Sequence, residues 1–343
     1  MKFKNYLLDL IRRDRNVKPS SDICINGTNK IIKESYIDIK RCKPNIKKFM
    51  IKNLKSPANT IYCWMSSRNP IPIPKLYILL NIWKKICKKT NQEFEEKWDK
   101  IFITNKGFSV HRGKNKAILP MELTEDLSYL TGFILADGYL KDENKLLKRY
   151  KFREYSIVIC DNSKEHVEYL KEIVTSIFKT KCNIYFTKDK KGSWYILRCT
   201  SKPVFRFFSD VLKISQGDKT GKIRVPELIK KSNFNLQKAF IAGFSDGEAG
   251  VGISTKNPWL EIAQKSIYNK PPLILLWIQE KLKKTNINLN GPHKMSKLGN
   301  CWRLRTASKK TINLFYQEIP VRHIDKVKAY EEIRRFSYAE NRS

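Results

Sequence analysis

The chain has few histidines, few acids for its size and no paired cysteines. Its 343 residues contain 4 His, 33 Asp and Glu against 68 Lys and Arg, and 8 Cys without any Cys-x-x-Cys pair. The scattered thiols argue against a zinc module or a disulfide framework, and they fit a reducing interior. No apolar run is long enough to span a bilayer, and charges interrupt the apolar N-terminus. We therefore expect an intracellular protein of the cytoplasm, nucleoid or an organelle, neither secreted nor bound to a membrane.

The shortage of acids leaves a formal net charge of +35. Such an imbalance costs self-repulsion in a compact protein, and a polyanionic partner offsets it; nucleic acid is the usual one. Adaptation to an AT-rich coding sequence is the alternative explanation, because Lys, Ile and Asn are all abundant. Since 41% of the residues are apolar or aromatic, the chain can bury cores in two or three domains.

Residues 1–105 are predicted to form a helical domain. The segment 45–55 has helical spacing, and Ser56 and Pro57 suit the N-cap and first turn of the next helix. The stretch KLYILLNIWKKI resumes a helix after the break at RNPIPIP. This order in a basic setting suggests a helix-turn-helix module with 57–67 as its recognition helix. A helical bundle without contacts to a DNA groove is the alternative.

An internal repeat fills the rest of the chain. The stretch GSWYILRCTSK at 192–202 matches GNCWRLRTASK at 299–309, 107 residues later. The apolar runs LTGFILADG and IAGFSDGEA end in acids at a similar spacing, since Asp137 and Glu248 lie 111 residues apart. Each copy has the pattern of a helix, strands and a helix, which indicates a pseudo-twofold arrangement. The predicted parts are a basic linker at 106–120 and two units at 121–232 and 233–343.

The two acids are predicted to share a metal site. Small residues lie four apart on each motif helix: Gly132 and Ala136 on the first, Gly243 and Gly247 on the second. Small side chains on one face let two helices pack closely, which would bring Asp137 and Glu248 together. Carboxylates at two negative helix ends repel each other, and Mg²⁺ or Mn²⁺ relieves that repulsion. On a basic surface this indicates metal-assisted phosphodiester hydrolysis; the alternative is that both acids are only turn residues.

Both motifs resemble the LAGLIDADG sequence, and residues 121–343 resemble the single-chain, two-motif LAGLIDADG homing endonucleases. The resemblance implies an α+β fold with two pseudo-symmetric αββαββα units that form a saddle of two antiparallel sheets, preceded here by the helical, helix-turn-helix-like domain. It implies a Mg²⁺-dependent (or Mn²⁺-dependent) endonuclease. The expected partner is double-stranded DNA with a long, near-asymmetric target site, and the expected state is a monomer with an internal pseudo-twofold.

Two alternatives stay open beside the endonuclease. One is an intron RNA maturase, with intron RNA as its partner, and the other is a DNA-binding regulator on the same fold with weak or no nuclease activity. Relatives of the family also lie inside inteins. The chain begins at Met1 and ends in AENRS without a terminal His-Asn pair, so we expect a free-standing protein.

The resemblance also assigns residues. Asp137 and Glu248 match the metal ligands of the family, and Gln264 and Lys265 match the catalytic strand-end pair near the metal-bound water. Asp161 and Asn162 stand at the matching positions of the first unit, where Asn162 cannot replace a charged lysine. A second tier of catalytic residues therefore comprises Asp161, Asn162, Lys219, Lys222 and Lys326. Residues expected to contact DNA in the major groove are Arg149, Lys151, Arg153, Arg198, Lys256 and Arg305.

Overall fold

The computed structural model describes residues 23–110, 116–141, 154–189, 192–254, 257–296 and 299–340. Within these ranges the chain folds into an N-terminal, mainly helical region followed by two α+β units. None of the helices in the described ranges combines the length and the apolar character that crossing a bilayer requires.

The N-terminal region packs its helices around a small sheet. In chain order its described elements are β1 (Ile23–Ile25), α1 (Asn29–Cys42), α2 (Ile46–Leu54), α3 (Ala58–Met65), β2 (Ile71–Pro72), α4 (Ile73–Ile86), α5 (Asn91–Thr104) and β3 (Phe108–Val110). Strand β1 lies between β2 and β3 and is antiparallel to both. The sheet was not predicted, because strands of two or three residues are too short to show alternation. Because β3 lies inside 106–120, part of the predicted linker joins this sheet; the domain bounds themselves stay a prediction.

The helices predicted at 45–55 and 57–67 are present as α2 and α3. The N-cap of α3 is Pro57, with ψ at 152°, and the helix begins at Ala58. Ser56 is not the N-cap, because its hydroxyl turns back and donates to the carbonyl oxygen of Leu54 at 3.0 Å. The expected role of Ser56 is therefore wrong by one position, whereas a helix-turn-helix function of α2 and α3 stays a prediction.

The two units contain the same elements in the same order. The first comprises α6 (Glu125–Ala136), β4 (Gly138–Leu140), β5 (Ser156–Asp161), α7 (Lys164–Phe178), β6 (Asn183–Asp189), β7 (Gly192–Thr200) and α8 (Lys202–Arg206), which continues as a π-helical turn at Phe207–Val211. After the short helix α9 (Glu227–Lys230), the second comprises α10 (Phe234–Glu248), β8 (Ala249–Ser254), β9 (Asn257–Lys265), α11 (Leu273–Lys283), β10 (Asn290–Lys294), β11 (Cys301–Thr306), α12 (Lys309–Glu318) and α13 (Ile324–Glu340). The sheet orders are β4-β5-β7-β6 and β8-β9-β11-β10, with antiparallel neighbours throughout. The predicted α+β fold of two αββαββα units is confirmed.

The motif helices α6 and α10 lie at the centre of this arrangement. Each begins at a side-chain cap: Thr124 accepts the backbone N–H of Leu127, and Asn233 accepts that of Leu236. The predicted N-cap Thr124 is thus confirmed. Every residue from Leu127 to Ala136 is buried, although the apolar spacing suggested a single buried face. The helix is buried all round because its own unit packs on one side and α10 packs on the other.

Glycines make the contact between α6 and α10 close. A Cβ added at Gly132 would lie 2.2 Å from the carbonyl oxygen of Phe240, and one at Gly243 would lie 1.9 Å from that of Tyr129. Real Cβ atoms do not approach other atoms within 3.0 Å. The backbones can therefore touch only where both helices carry glycine, which confirms the close packing predicted from the four-residue spacing.

The strand register shows which residues of the two units correspond. Asp161 pairs with Tyr195 in the first sheet, and Gln264 pairs with Trp302 in the second. Because Tyr195 and Trp302 occupy the same place in the sequence repeat, Asp161 matches Gln264 and Asn162 matches Lys265. Strand β5 is shorter than the predicted strand 148–160, since Glu154 and Tyr155 precede it and residues 142–153 lie outside the described ranges.

Candidate active site

The two motif acids meet where α6 and α10 end. Asp137 is the C-cap of α6, and Glu248 is the last residue of α10. A Cβ added at Gly247 would lie 2.3 Å from the Cβ of Ala136 and 3.3 Å from Oδ2 of Asp137. The small residues therefore let the two helix ends, and with them the two carboxylates, become neighbours.

Both carboxyls bind protons more tightly than usual. Burial raises the pKa of Glu248 to about 7, and the nearby charge of Asp137 adds to this shift. Burial also raises the pKa of Asp137 to about 6, although its side chain still reaches solvent, so that water screens part of the effect. The positive charges of Lys219 and Lys326 oppose both shifts without cancelling them. A cation would stabilise the ionised form of two such neighbouring, buried carboxylates.

Two lysines cap the ends of the motif helices. Nζ of Lys219 donates to the carbonyl oxygens of Leu135 at 2.7 Å and Gly138 at 2.6 Å, and also contacts those of Ile134 and Ala136. Nζ of Lys326 donates to the carbonyl oxygens of Ser245 at 2.9 Å and Asp246 at 2.5 Å. Apart from Gly138, which begins β4, these acceptors are the last carbonyls of α6 and α10, where a positive charge is favoured.

Lys219 and Lys326 are symmetry mates. They lie 107 residues apart, which is the spacing of the sequence repeat, and each caps the motif helix of its own unit. Burial lowers the pKa of Lys219 to about 8 and also lowers the pKa of Lys326, while the neighbouring acids oppose these shifts. The 107-residue separation alone could have identified this pair, whereas the family resemblance places both lysines in the second tier, behind Lys265.

The strand-end pair Gln264 and Lys265 does not converge on one point. Adjacent residues of a strand point to opposite faces; accordingly Gln264 is buried and Lys265 is exposed. The charges that act on Asp137 and Glu248 include Lys219 and Lys326, whereas Lys265 acts on Asp218 and Cys301. Lys222 donates to the carbonyl oxygen of Asp218 at 3.2 Å and is exposed. The catalytic roles given to Lys265 and Lys222 stay predictions.

A cavity of about 480 Å³ opens beside Asp137. Its lining includes Asp137, Cys160, Asp161, Asn162, His323 and Lys326. Both strand-end residues of the first unit thus lie beside the motif acid, Asn162 exposed and the Asp161 side chain only 5% exposed. The cavity is large enough for part of a substrate to approach the carboxylate.

Asp161 is held in a buried network that the sequence did not predict. Its Oδ2 lies 2.8 Å from Nδ1 of His166 and 3.3 Å from Nε2 of His323, and its Oδ1 accepts the backbone N–H of Ser163 at 2.9 Å. Burial opposes ionisation of Asp161, but these hydrogen bonds outweigh it and hold the pKa of the carboxyl well below its usual range. Two of only four histidines meet here from segments 157 residues apart, so no local pattern could have signalled the contact.

The residues expected to contact DNA are only partly described. Arg149, Lys151, Arg153 and Lys256 lie outside the described residues. Arg198 on β7 lies 3.8 Å from Glu154 and stacks over the ring of Tyr185 at 5.6 Å. Arg305 on β11 is exposed. Both arginines stand at the same place of the repeat and in the middle strands of their sheets.

Comparisons with known proteins gave two curated relatives and several similar structures. The chain is 26% identical over 200 residues to homing endonuclease I-ApeI of Aeropyrum pernix, which covers 57% of this chain and 84% of that protein. It is 23% identical over 212 residues to transcription initiation factor IIB of Methanocaldococcus jannaschii, covering 60% of this chain but 26% of that protein. I-DmoI in complex with DNA and Mn aligns with a TM-score of 0.42 and 23% identity, over 59% of this chain and all of that one.

No protein-family model matches the chain. Two LAGLIDADG-like helices nevertheless pack through their glycines and end in neighbouring acids. In these features, and in its sequence similarity to I-ApeI, the chain is similar to the LAGLIDADG homing endonucleases.

Proposed function

We propose that the protein is a site-specific endonuclease that hydrolyses phosphodiester bonds of double-stranded DNA with a divalent metal ion. One observation carries the proposal. Two carboxylates come together at the ends of two close-packed, duplicated helices, and each of these ends is capped by its own lysine. The curated relative I-ApeI is named a homing endonuclease, which supports the same activity.

The acid pair fits Mg²⁺ or Mn²⁺. Asp137 and Glu248 offer oxygen ligands only, and burial raises the pKa of both carboxyls. A divalent cation would remove the repulsion between them and replace the protons that they otherwise retain. Hard cations of this kind prefer one or two carboxylates together with phosphate oxygens and water. When bound, such an ion supplies Lewis acidity and an activated water.

The lysines are proposed to stabilise charge during hydrolysis. Lys219 and Lys326 are fixed by carbonyl oxygens at the two helix ends, so their ammonium groups need little reorganisation when negative charge develops on the phosphate. Because each unit holds one such lysine, each strand of the duplex would meet the same charge. Gln264 has a buried amide oxygen without a partner among the described residues, and we propose that its amide orients water beside Glu248.

The two sheets are proposed to bind DNA in the major groove. Arg198 and Arg305 are the described members of the predicted contact set and occupy equivalent middle strands. The net charge of +35 suits a long phosphate backbone. Since the two units differ in most side chains, one chain can read a long site whose two halves differ.

We propose a monomer, because one chain already contains both halves of the pseudo-twofold. A DNA substrate places its action in the cytoplasm, the nucleoid or an organelle. The N-terminal region, with α3 as the recognition helix, is proposed to extend the DNA contact. Intron RNA is a second partner that the basic surface could bind, and a binding assay with both nucleic acids separates the two.

The decisive experiment begins with selection of cleaved sites from a randomised duplex library, with and without Mg²⁺. On the selected site, Asp137→Asn and Glu248→Gln should each abolish cleavage and retain DNA binding, because the acids hold ions and do not read bases. The matched control is Glu227→Gln, which removes a carboxylate with a 67% exposed side chain on α9. Cleavage at the wild-type rate in either motif variant would refute the proposal. Preferential binding of intron RNA without cleavage of any duplex would favour a maturase.

A further inference from the structure

Three buried ligand groups converge beside the acid pair from both units of the protein. Asp161 ends β5, His166 lies in the first turn of α7, and His323 precedes α13 in the second unit. Their ligand atoms all lie within 4.8 Å of one another. The side chains of His166, Asp161 and His323 are 0%, 5% and 6% exposed. We propose that these residues bind a transition-metal ion such as Zn²⁺, at a site distinct from the Mg²⁺ site of Asp137 and Glu248.

The hydrogen bonds around His166 direct its Nε2 towards Tyr129 and its Nδ1 towards Asp161. The hydroxyl of Tyr129 donates to Oδ2 of Asp246 at 2.7 Å, and the same oxygen of Asp246 accepts two backbone N–H groups. Tyr129 has only one proton, so its oxygen must accept from Nε2 of His166, 2.9 Å away. The proton of a neutral imidazole is thus fixed on Nε2, and the lone pair on Nδ1 points at Asp161.

A positive charge, either a proton or a metal ion, is required between Nδ1 of His166 and Asp161. With its proton on Nε2, the ring would place the Nδ1 lone pair 2.8 Å from a carboxylate oxygen, and two acceptors repel at that distance. Either a second proton on the ring or a metal ion removes the repulsion. Without a metal, a second proton on His166 and the ring N–H of His323 both bond to Asp161, and a metal ion would take the place of these protons.

The spacing suits a metal ion. With bonds of about 2.0–2.1 Å, two ligand atoms of a tetrahedral zinc site lie roughly 3.3 Å apart. The His323 contact at 3.3 Å already has this separation, and the His166 contact at 2.8 Å would open by about half an ångström. Oδ1 of Asp161 is anchored by the backbone N–H of Ser163, which leaves Oδ2 for the ion.

One buried carboxylate orients both histidines. Asp246 holds His166 through the hydroxyl of Tyr129, and it accepts the backbone N–H of His323 at 3.0 Å. Ligand histidines of metal sites usually bond through the other ring nitrogen in this way, as His166 does to Tyr129; the contact to His323 holds its main chain, and its Nδ1 has no partner among the described residues. Two imidazole nitrogens and one carboxylate favour Zn²⁺, Co²⁺ or Ni²⁺ over Mg²⁺. Because His323 comes from the second unit, the ion would clamp the two units together.

The site should be tested with Co²⁺, whose visible absorption reports its coordination. After chelation and dialysis into Mg²⁺ buffer, the full chain should take up one Co²⁺ with the intense visible bands of a four- or five-coordinate site, and Zn²⁺ should displace it. Sulfur ligands would add a strong near-ultraviolet charge-transfer band, so its absence excludes adventitious binding to the cysteines. Zn²⁺ should also raise the melting temperature of the protein.

Matched variants locate the ion. His166→Gln and His323→Gln should each weaken Co²⁺ binding by at least about tenfold, and Tyr129→Phe should weaken it by roughly tenfold while retaining all three ligands. His293→Gln, which changes an exposed histidine on β10, and Asp137→Asn should leave Co²⁺ binding unchanged. Failure of the wild-type protein to take up Co²⁺, or uptake that Asp137→Asn abolishes and His323→Gln does not, would overturn the proposal. The wild-type measurement decides the question even where a variant fails to fold.

Discussion

The contact between the motif helices offers a direct test of how the acid pair is positioned. In Gly243→Ala the new Cβ would lie 1.9 Å from the carbonyl oxygen of Tyr129, and at this depth only backbone lies opposite it. Since Cβ atoms do not approach within 3.0 Å, the helices would have to separate locally by about 1 Å. Rotation of a flexible side chain cannot relieve the clash.

Two opposing effects decide the change in stability. Alanine is favoured over glycine inside a helix by about 1 kcal/mol. Overpacking a tight interior typically costs about 1–3 kcal/mol, and a clash with backbone belongs at the upper end of that range. We therefore expect Gly243→Ala to lower the free energy of unfolding by about 1–2 kcal/mol. A displacement of about 1 Å between Asp137 and Glu248 should also slow cleavage by roughly a hundredfold.

Urea unfolding and a plasmid-cleavage time course measure the two effects separately. The matched control is Gly252→Ala on β8, where the nearest atom to an added Cβ lies 3.4 Å away, an ordinary contact. The control should cleave at nearly the wild-type rate and unfold at nearly the same urea concentration. If Gly243→Ala matches it in both assays, the motif helices do not set the distance between the acids, and the reasoning fails.

Three further predictions concern pH, the lysines and the N-terminal region. Because the folded protein raises the pKa of Asp137 to about 6 and of Glu248 to about 7, metal-dependent cleavage should rise as pH passes through these values. Without metal the folded state binds more protons than the unfolded chain, so the free energy of unfolding should decrease as the pH rises from about 4 to 7, and Mg²⁺ should restore it. A free energy of unfolding that does not change with pH would contradict this. Lys219→Met should slow cleavage by roughly a hundredfold and Lys265→Ala by less than about tenfold, and the reverse order in a time course would restore Lys265 to the leading role. Deleting 1–105 should shorten the nuclease-protection footprint and leave a core that nicks DNA at high protein concentration, whereas an unchanged footprint would show that this region does not bind DNA.

The sequence predicted the features that depend on repetition and on local rules. Thr124 caps α6, the small residues produce a close helix contact, and the repeat positions match in strand register. These features follow from N-cap chemistry, glycine spacing and alternation, all of which can be read within a few residues. Alternation would also have separated Gln264 from Lys265, because neighbours on a strand cannot face the same site.

The features that the sequence did not predict depend on long-range contacts. The network of Asp161, His166, Asp246 and His323 joins three distant segments of the chain, and each of these segments alone has an ordinary local setting. The sheet of β1, β2 and β3 joins strands that are too short to show a period. In both cases tertiary packing selects partners that no window of sequence contains.

In the two units, the residues at the ends of the motif helices have stayed alike, whereas the residues at the strand ends have diverged. The acids and the capping lysines are matched in both units: Asp137 with Glu248, and Lys219 with Lys326. The strand ends are not matched, because Asp161 is bound by two histidines whereas the amide oxygen of Gln264 is buried without a partner among the described residues. Two identical chains related by a true twofold could not support this difference, since every change would appear twice. Fusion into one chain lets the two strand ends change separately. The acids are kept in both units because they would bind the metal ion together, and the lysines are kept because each caps the end carbonyls of its own motif helix.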